Sequence, residues 1–390
     1  MIRPGVHILL ALPLAFSACR GVDGPAAKPA APAARALPAS QPALDASDAA
    51  RFLAGLPGRP ASRFKALEAE PAWTDHARNM NELWALFETR RKEGMAKFHQ
   101  SELSGAPFDG RAIWYPFSGA DALTMLALLP GHTTYAMAAL EPPGRVPHVE
   151  DFPVEELPAR LPAIAGTLSS LLGKSFFVTR EMDHQLRGQV TDGVAEPILI
   201  LLARLGYDIL DYSYVQVDET GRLASREEDA KPTAFGYNRS LSFDIRRGNE
   251  PPARLVYVSL NLDDRHLRDN PGFRAYVASL NRPATLLKAT SYMLHDKGFS
   301  VIRDLILEHS HAIIQDDSGI PWSHLNSPAW QVRLYGGYTR PYGESFQFRK
   351  QPALREAYEA NPASVKPLPF RMGYGAGRQE SNLQVAIRNP

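Results

Sequence analysis

The strongest pattern along the chain is the apolar stretch from Arg111 to Gly144, RAIWYPFSGADALTMLALLPGHTTYAMAALEPPG. Ala112 to Phe117 forms a short continuous apolar run and predicts a buried strand, and Ser118-Gly119 a turn. Asp121 has the chemistry of a helix N-cap, Ala122 to Leu129 then predicts a short helix, and Thr133 to Leu140 a second strand. Strand, helix and strand in this order make a βαβ unit, which points to an α/β fold with a mainly parallel sheet.

The same periodicity extends the prediction in both directions. Trp73, Met80, Leu83, Trp84 and Phe87 recur at three- and four-residue spacings within a mostly helical stretch from Phe64 to Glu102. Helices are expected over Leu157–Leu172 and over Ala195–Leu205, the latter stopped by Gly206 at its C′ position. The segment SFFVTREM lies between them. Tyr207–Val217 predicts a strand, with Ala234–Arg246 and the alternating Arg254–Asp263 as antiparallel partners, so the sheet should be mixed. Helices over Pro271–Leu280, Pro283–His295 and Phe299–His309 follow, then a strand at Ala312–Gln315 and a turn at Asp316-Asp317-Ser318-Gly319. The aromatic, turn-rich segment from Trp330 to Pro390, with a short helix near Ala353–Glu359, is expected to cover the sheet.

The N-terminal region changes the picture. Arg3 precedes an apolar run from Val6 to Phe16 that is too short to span a bilayer and reads as an export signal, residues 1–18. Phe16-Ser17-Ala18-Cys19 resembles the lipobox of bacterial lipoproteins, which implies cleavage before Cys19, lipidation of its thiol and a membrane partner through that anchor. Cys19 is the only cysteine among 390 residues, so no disulfide framework competes for it. Arg20 is not the inner-membrane retention residue of that family, which implies an outer-membrane destination in the cell envelope. Residues 19–47, rich in Ala and Pro, predict an extended tether, and residues 48–390 a single globular domain. A formal net charge of +1 without a basic stripe gives no footprint for nucleic acid.

The blocks YPFSGAD, LEPPG, LKATSYMLH, QDDSGIPW and LYGGY resemble an uncharacterised family of bacterial envelope proteins. That family has no assigned activity, so the resemblance implies one folded unit from about residue 80 and carries over no function.

Four residue sets suggest chemistry. Gly119 and Glu141 stand about where a dinucleotide- or S-adenosylmethionine-binding βαβ unit has its turn and ribose-binding acid, but a single glycine is too few for a pyrophosphate cradle, and no cofactor is expected. Asp317-Ser318-Gly319 matches the aspartic-protease loop, yet no second copy supplies the other carboxylate. Lys288, Ser291, Tyr292 and His295 would share one face of the predicted helix, as acid-base or nucleophilic chemistry would need, or as any solvated face would have. Glu308, His309 and His311 lack the spacing of a recognised metal site, and no metal is expected.

The broadest expectation joins blocks. Ser118, Gly119 and Asp121 follow one predicted strand, Glu141 another, and Asp316, Asp317 and Ser318 a third. If those strands are parallel, the groups meet at their carboxyl ends as an acidic, hydroxyl-rich pocket suited to a sugar, a polyol or a cationic group. The equally weighted alternative is that Asp121 only caps a helix and the others only fix turns. The expected function is a lipid-anchored ligand-binding or assembly module with a small molecule or an envelope protein as partner. The alternative is an extracytoplasmic hydrolase-like enzyme using the acidic edge.

Overall fold

The computed structural model describes residues 41–174, 193–227, 240–341, 344–375 and 380–390. The export signal, Cys19, most of the tether, SFFVTREM and the stretch 234–239 of one expected strand lie outside the described residues. The helix Gln41–Leu53 occupies the last positions assigned to the tether and buries Ala43, Ala46 and Ser47, so folded structure begins before residue 48.

The described residues contribute ten strands to one sheet. In chain order they are β1 (Ile113–Pro116), β2 (Thr134–Ala139), β3 (Tyr207–Val217), β4 (Leu223–Ser225), β5 (Ser240–Arg247), β6 (Ala253–Ser259), β7 (Ala284–Leu287), β8 (Ala312–Gln315), β9 (Trp330–Gly336) and β10 (Asn382–Arg388). Their order across the sheet is β4-β3-β5-β6-β2-β1-β7-β8-β10-β9. The central block from β6 to β8 is parallel. On one side β3, β4 and β5 extend it antiparallel, and on the other β10 and β9 do the same.

Alternation along β1 and β2 explains why the sheet has cover on both faces. Ile113, Tyr115, Tyr135 and Met137 enter one core, shared with the helices Gln41–Leu53, Pro71–Phe87, Leu157–Lys174 and Ala195–Arg204. Trp114, Ala136 and Ala138 enter the other, with the helices Asp264–Arg268, Pro271–Ser279 and Ser300–His309. Parallel strands need this two-sided burial because their crossover helices lie on the faces.

Two expectations change. The helix expected over Pro283–His295 is instead β7, a sharp turn at Lys288-Ala289 and a 3-10 helix from Thr290 to His295. A four-residue apolar run, ATLL, fits a strand buried on both faces as well as a helix turn, and pairing with β1 and β8 decides for the strand. The C-terminal segment does more than cover the sheet. It supplies β9 and β10, although its helix Pro352–Ala360 lies where expected.

Candidate functional site

From β1 the chain steps outward through β2 to β6, and β7 and β8 are added on the opposite side of β1. The strand order therefore reverses between β1 and β7, the place where open α/β sheets form a crevice at their carboxyl ends. Two non-glycine residues there have left-handed backbone: Phe117 at φ 60°, just after β1, and Ala289 at φ 60° and ψ −85°, just after β7. Such geometry costs about 1–3 kcal/mol per residue and persists only when surrounding contacts hold it. At Ala289 one such contact is its N–H donating to Asp316 Oδ2 at 3.1 Å.

Lys288 and Asp121 form an ion pair across this switch point, with side chains only 2% and 3% exposed. Lys288 Nζ donates to Asp121 Oδ2 and also to Thr124 Oγ1 at 3.0 Å. Tyr115 donates its hydroxyl to the same Asp121 oxygen at 3.1 Å, and Asp121 Oδ1 accepts the Thr124 N–H at 2.9 Å as the N-cap of the helix Ala122–Leu128. Burial lowers the Lys288 pKa and the Asp121 charge opposes that shift. Burial likewise holds the Tyr115 hydroxyl well above its ordinary value.

After β8, Asp316 and Asp317 are 4% and 5% exposed. Asp316 Oδ1 accepts the Ser318 N–H at 3.0 Å and the Ser318 hydroxyl at 2.5 Å. Asp317 accepts the Tyr292 hydroxyl on one oxygen and Asn382 Nδ2 at 2.7 Å on the other. Gln351 Nε2 donates to the Asp317 carbonyl at 2.9 Å. Burial, and next the charge of Asp316, push Asp317 up to about 7 against the donors Tyr292 and Asn382. Burial raises Asp316 as well. Tyr292 stacks on Phe346 at 4.6 Å and on Tyr374 at 6.1 Å, an aromatic cover beside the acid pair.

The structure thus brings Asp121, Lys288, Asp316, Asp317, Ser318 and Tyr292 to one edge. Ser118 is there too, buried, with its hydroxyl donating to the Gly119 carbonyl at 3.1 Å. Glu141 lies farther along, where Tyr257 and Ser259 hydroxyls each donate to its carbonyl at 2.9 Å. Lys288, Ser291, Tyr292 and His295 do not form the face of one helix. Lys288 precedes the 3-10 helix, and its N–H donates to Ser291 Oγ at 3.2 Å. His295, lowered to about 4 by burial, is neutral and donates from Nε2 to the Gly319 carbonyl at 3.0 Å. Nor is that set solvated, since Lys288, Ser291 and Tyr292 are buried. Glu308 and His309 approach only to 3.9 Å, His311 donates its N–H to the Pro283 carbonyl, and among the described residues no metal-holding group of three or more His, Cys, Asp or Glu occurs.

Several participants carry no sequence signal. Tyr115 looks like any strand aromatic, Asn382 arrives from β10, and Arg91 lies among charged helix residues. Arg91 is 3% exposed. Its Nη2 donates to the carbonyls of Leu171 and Leu172 at 2.6 and 2.8 Å. It lines a cavity of about 450 Å3 with Arg90, Gly173, Leu368, Pro369, Phe370 and Arg371. The cavity adjoins the switch point. Its 368–371 wall continues into Gly373, where an added Cβ would come within 2.0 Å of Asp316 Oδ2 and 3.5 Å of Lys288 Cγ. The Arg91 charge also acts on Lys288, and that of Asp121 on Arg91.

Comparison with protein-family models and with curated proteins finds no match to this chain. Among the described residues no helix is long and apolar enough to cross a membrane.

Proposed function

We propose that the chain is a bacterial envelope lipoprotein, attached through Cys19 and held off the outer membrane by its Ala/Pro-rich segment, whose folded unit binds a small molecule at the carboxyl edge of the parallel strands. The observation that carries this reading is the cavity of about 450 Å3 beside the β1/β7 switch point. Its volume is in the range of small-molecule sites, and the switch point is where α/β sheets hold ligands. The acidic residues then have a supporting role: Asp121 and Asp316 hold the turn after β7 through Lys288 and the Ala289 N–H, and Asp316 packs close to Gly373, just past the segment walling the cavity. The hydrolase-like alternative requires carboxylates that meet a substrate. Burial of both Asp316 and Asp317, with hydrogen bonds to each, counts against it.

The test is a thermal-shift screen of the purified protein against sugars, peptides, lipids, organic anions and metals. A ligand of the native state raises the melting temperature by an amount that grows with the logarithm of its concentration above Kd. The expected result is at least one such ligand, and a flat response across the panel overturns the reading. For the anchor, Cys19→Ala is expected to move the protein from the membrane fraction to the soluble fraction. Unchanged membrane partition would exclude lipidation at that thiol as the attachment.

A further inference from the structure

We infer that the sheet face formed by β3, β4, β5 and β6 carries a second binding site, which takes one small hydroxyl-rich ring, a neutral or amino sugar. The site shares no lining residue with the cavity beside the switch point and stands or falls apart from it.

Strand alternation builds this face. In β5, Leu241, Phe243 and Ile245 enter the first core, so Ser242 and Asp244 point to the other side of the sheet. In β3, Tyr212 and Tyr214 pack on that same core, and after the bulge between Ile209 and Asp211 the residues Asp211 and Ser213 share the side of Ser242. Register lays polar rows across the strands. Asp211 stands opposite Asp244, which stands opposite Arg254, and Ser213 stands opposite Ser242. The edge strand β4 adds Ser225, opposite Val215. Farther along this face the helix Pro271–Ser279 closes it, with Phe273, Tyr276 and Val277 in the second core beside Val256 and Val258. The part left open is a cavity of about 190 Å3 lined by Asp211, Ser213, Ser225, Ser242, Asp244 and Arg254, with Val215 and Leu223 as its apolar contribution.

A polar face on antiparallel strands is ordinary, but a hollow that holds a buried and unused hydroxyl is not. Ser242 is only 7% exposed, and its hydroxyl makes no hydrogen bond among the described residues. It is not one of the buried polar atoms sealed from solvent, so the access it keeps is through the cavity it lines. Asp211 is exposed and has neither a hydrogen bond nor an ion pair among the described residues. Arg254 feels the Asp211 charge but commits Nε and Nη2 to Asp244, at 2.8 and 3.1 Å, which leaves Nη1 to donate.

The unused groups define the ligand. The serine hydroxyls donate and accept, Asp211 only accepts and Arg254 Nη1 only donates. Neighbouring hydroxyls on a sugar ring answer all three, whereas an aliphatic amine answers Asp211 alone. Two carboxylates against one guanidinium disfavour an anion. The volume lies below the roughly 300 Å3 at which drug-sized sites begin, which limits the occupant to about one ring.

The experiment is ligand-observed NMR titration of the purified full-length protein with glucose, galactose and glucosamine, and with gluconate and cyclohexylamine as the anionic and hydroxyl-free comparisons. At least one of the three sugars is expected to bind, with gluconate and cyclohexylamine weaker by roughly threefold or more, the effect of losing one or more neutral hydrogen bonds. Ser242→Val keeps the side-chain shape, suits a strand and removes the hydroxyl, so sugar binding should weaken by about three- to tenfold. Ser213→Leu starts from an exposed residue without a side-chain hydrogen bond, fills the hollow opposite Ser242 and should abolish binding. An unchanged melting temperature confirms that each variant folds. Failure of all three sugars, sugar binding undiminished in either folded variant, or cyclohexylamine binding as tightly as the sugars overturns the inference.

Discussion

Replacing Lys288 by Met tests whether the switch point is held by electrostatics. The substitution keeps the length of the stem but removes the ammonium from Asp121 and Thr124, both buried. With side chains 2% and 3% exposed, this pair is far from the surface regime, where an ion pair is worth about 0–1 kcal/mol. Breaking one partner of a buried pair costs about 3–5 kcal/mol because the other charge stays buried. Asp121 retains the Tyr115 hydroxyl and the Thr124 N–H, so the lower end, about 3 kcal/mol, is expected for Lys288→Met. Asp121→Asn keeps the helix cap and strands Lys288 instead, at a similar cost of about 3 kcal/mol. The double variant leaves no unpaired charge and is expected to cost about 3 kcal/mol or less, not the sum of the singles, a coupling near 3 kcal/mol. Urea denaturation with an unchanged slope measures all three. In Asp121→Asn the lysine loses the charge that raised its pKa, and its folded value falls further below the unfolded one near 10.4. The unfolded state then binds more protons, so stability of this variant rises as pH is raised toward about 10. Single variants costing under about 1 kcal/mol, or an additive double, would refute a buried, coupled pair.

Asp317→Asn addresses the acid pair through pH. The folded pKa of Asp317, about 7, lies above its unfolded value, so the folded state keeps a proton that the unfolded chain has released. Its contribution is complete below about pH 4 and is lost as pH rises to 7, at no more than about 1.4 kcal/mol per pH unit. The wild-type minus variant stability difference should fall across that window, and a pH-independent difference would show that Asp317 ionises normally. Gly373→Ala tests the close approach of the cavity wall to the lattice: φ is +58° and the new Cβ would meet Asp316 Oδ2 at 2.0 Å. A loss of about 2–4 kcal/mol is expected, against about 1 kcal/mol for Gly131→Ala, where φ is +80° but no heavy atom of the described residues lies within 4 Å. Equal losses in a denaturation series would mean that the wall does not bear on Asp316.

Local chemistry was enough to read much of the chain. Tyr207–Val217 is a strand over its full expected length, Asp121 caps the helix Ala122–Leu128, and Gly206 ends the preceding helix with φ +82°. These features depend on period, cap and turn residues within a few positions, which a sequence states directly. The acidic edge was also legible in outline, because three predicted strands each ended in polar residues. Its chemistry was not. Lys288 follows ATLL, an apolar run too short for periodicity to separate a strand buried on both faces from a turn of helix.

Its partner lies 167 residues away, and only the placement of β7 beside β1 brings the two together. Asn382 reaches Asp317 because β10 pairs with β8, and the buried Arg91 donates to the Leu171 and Leu172 carbonyls at the end of a helix some 80 residues on. The sequence by itself determined which elements form and where polar residues punctuate them, since those are short-range preferences of the backbone. Tertiary structure alone decided which charges are paired, which carboxyls burial raises and that a buried arginine donates to backbone carbonyls. Those outcomes follow from desolvation and from distances between residues remote in the chain.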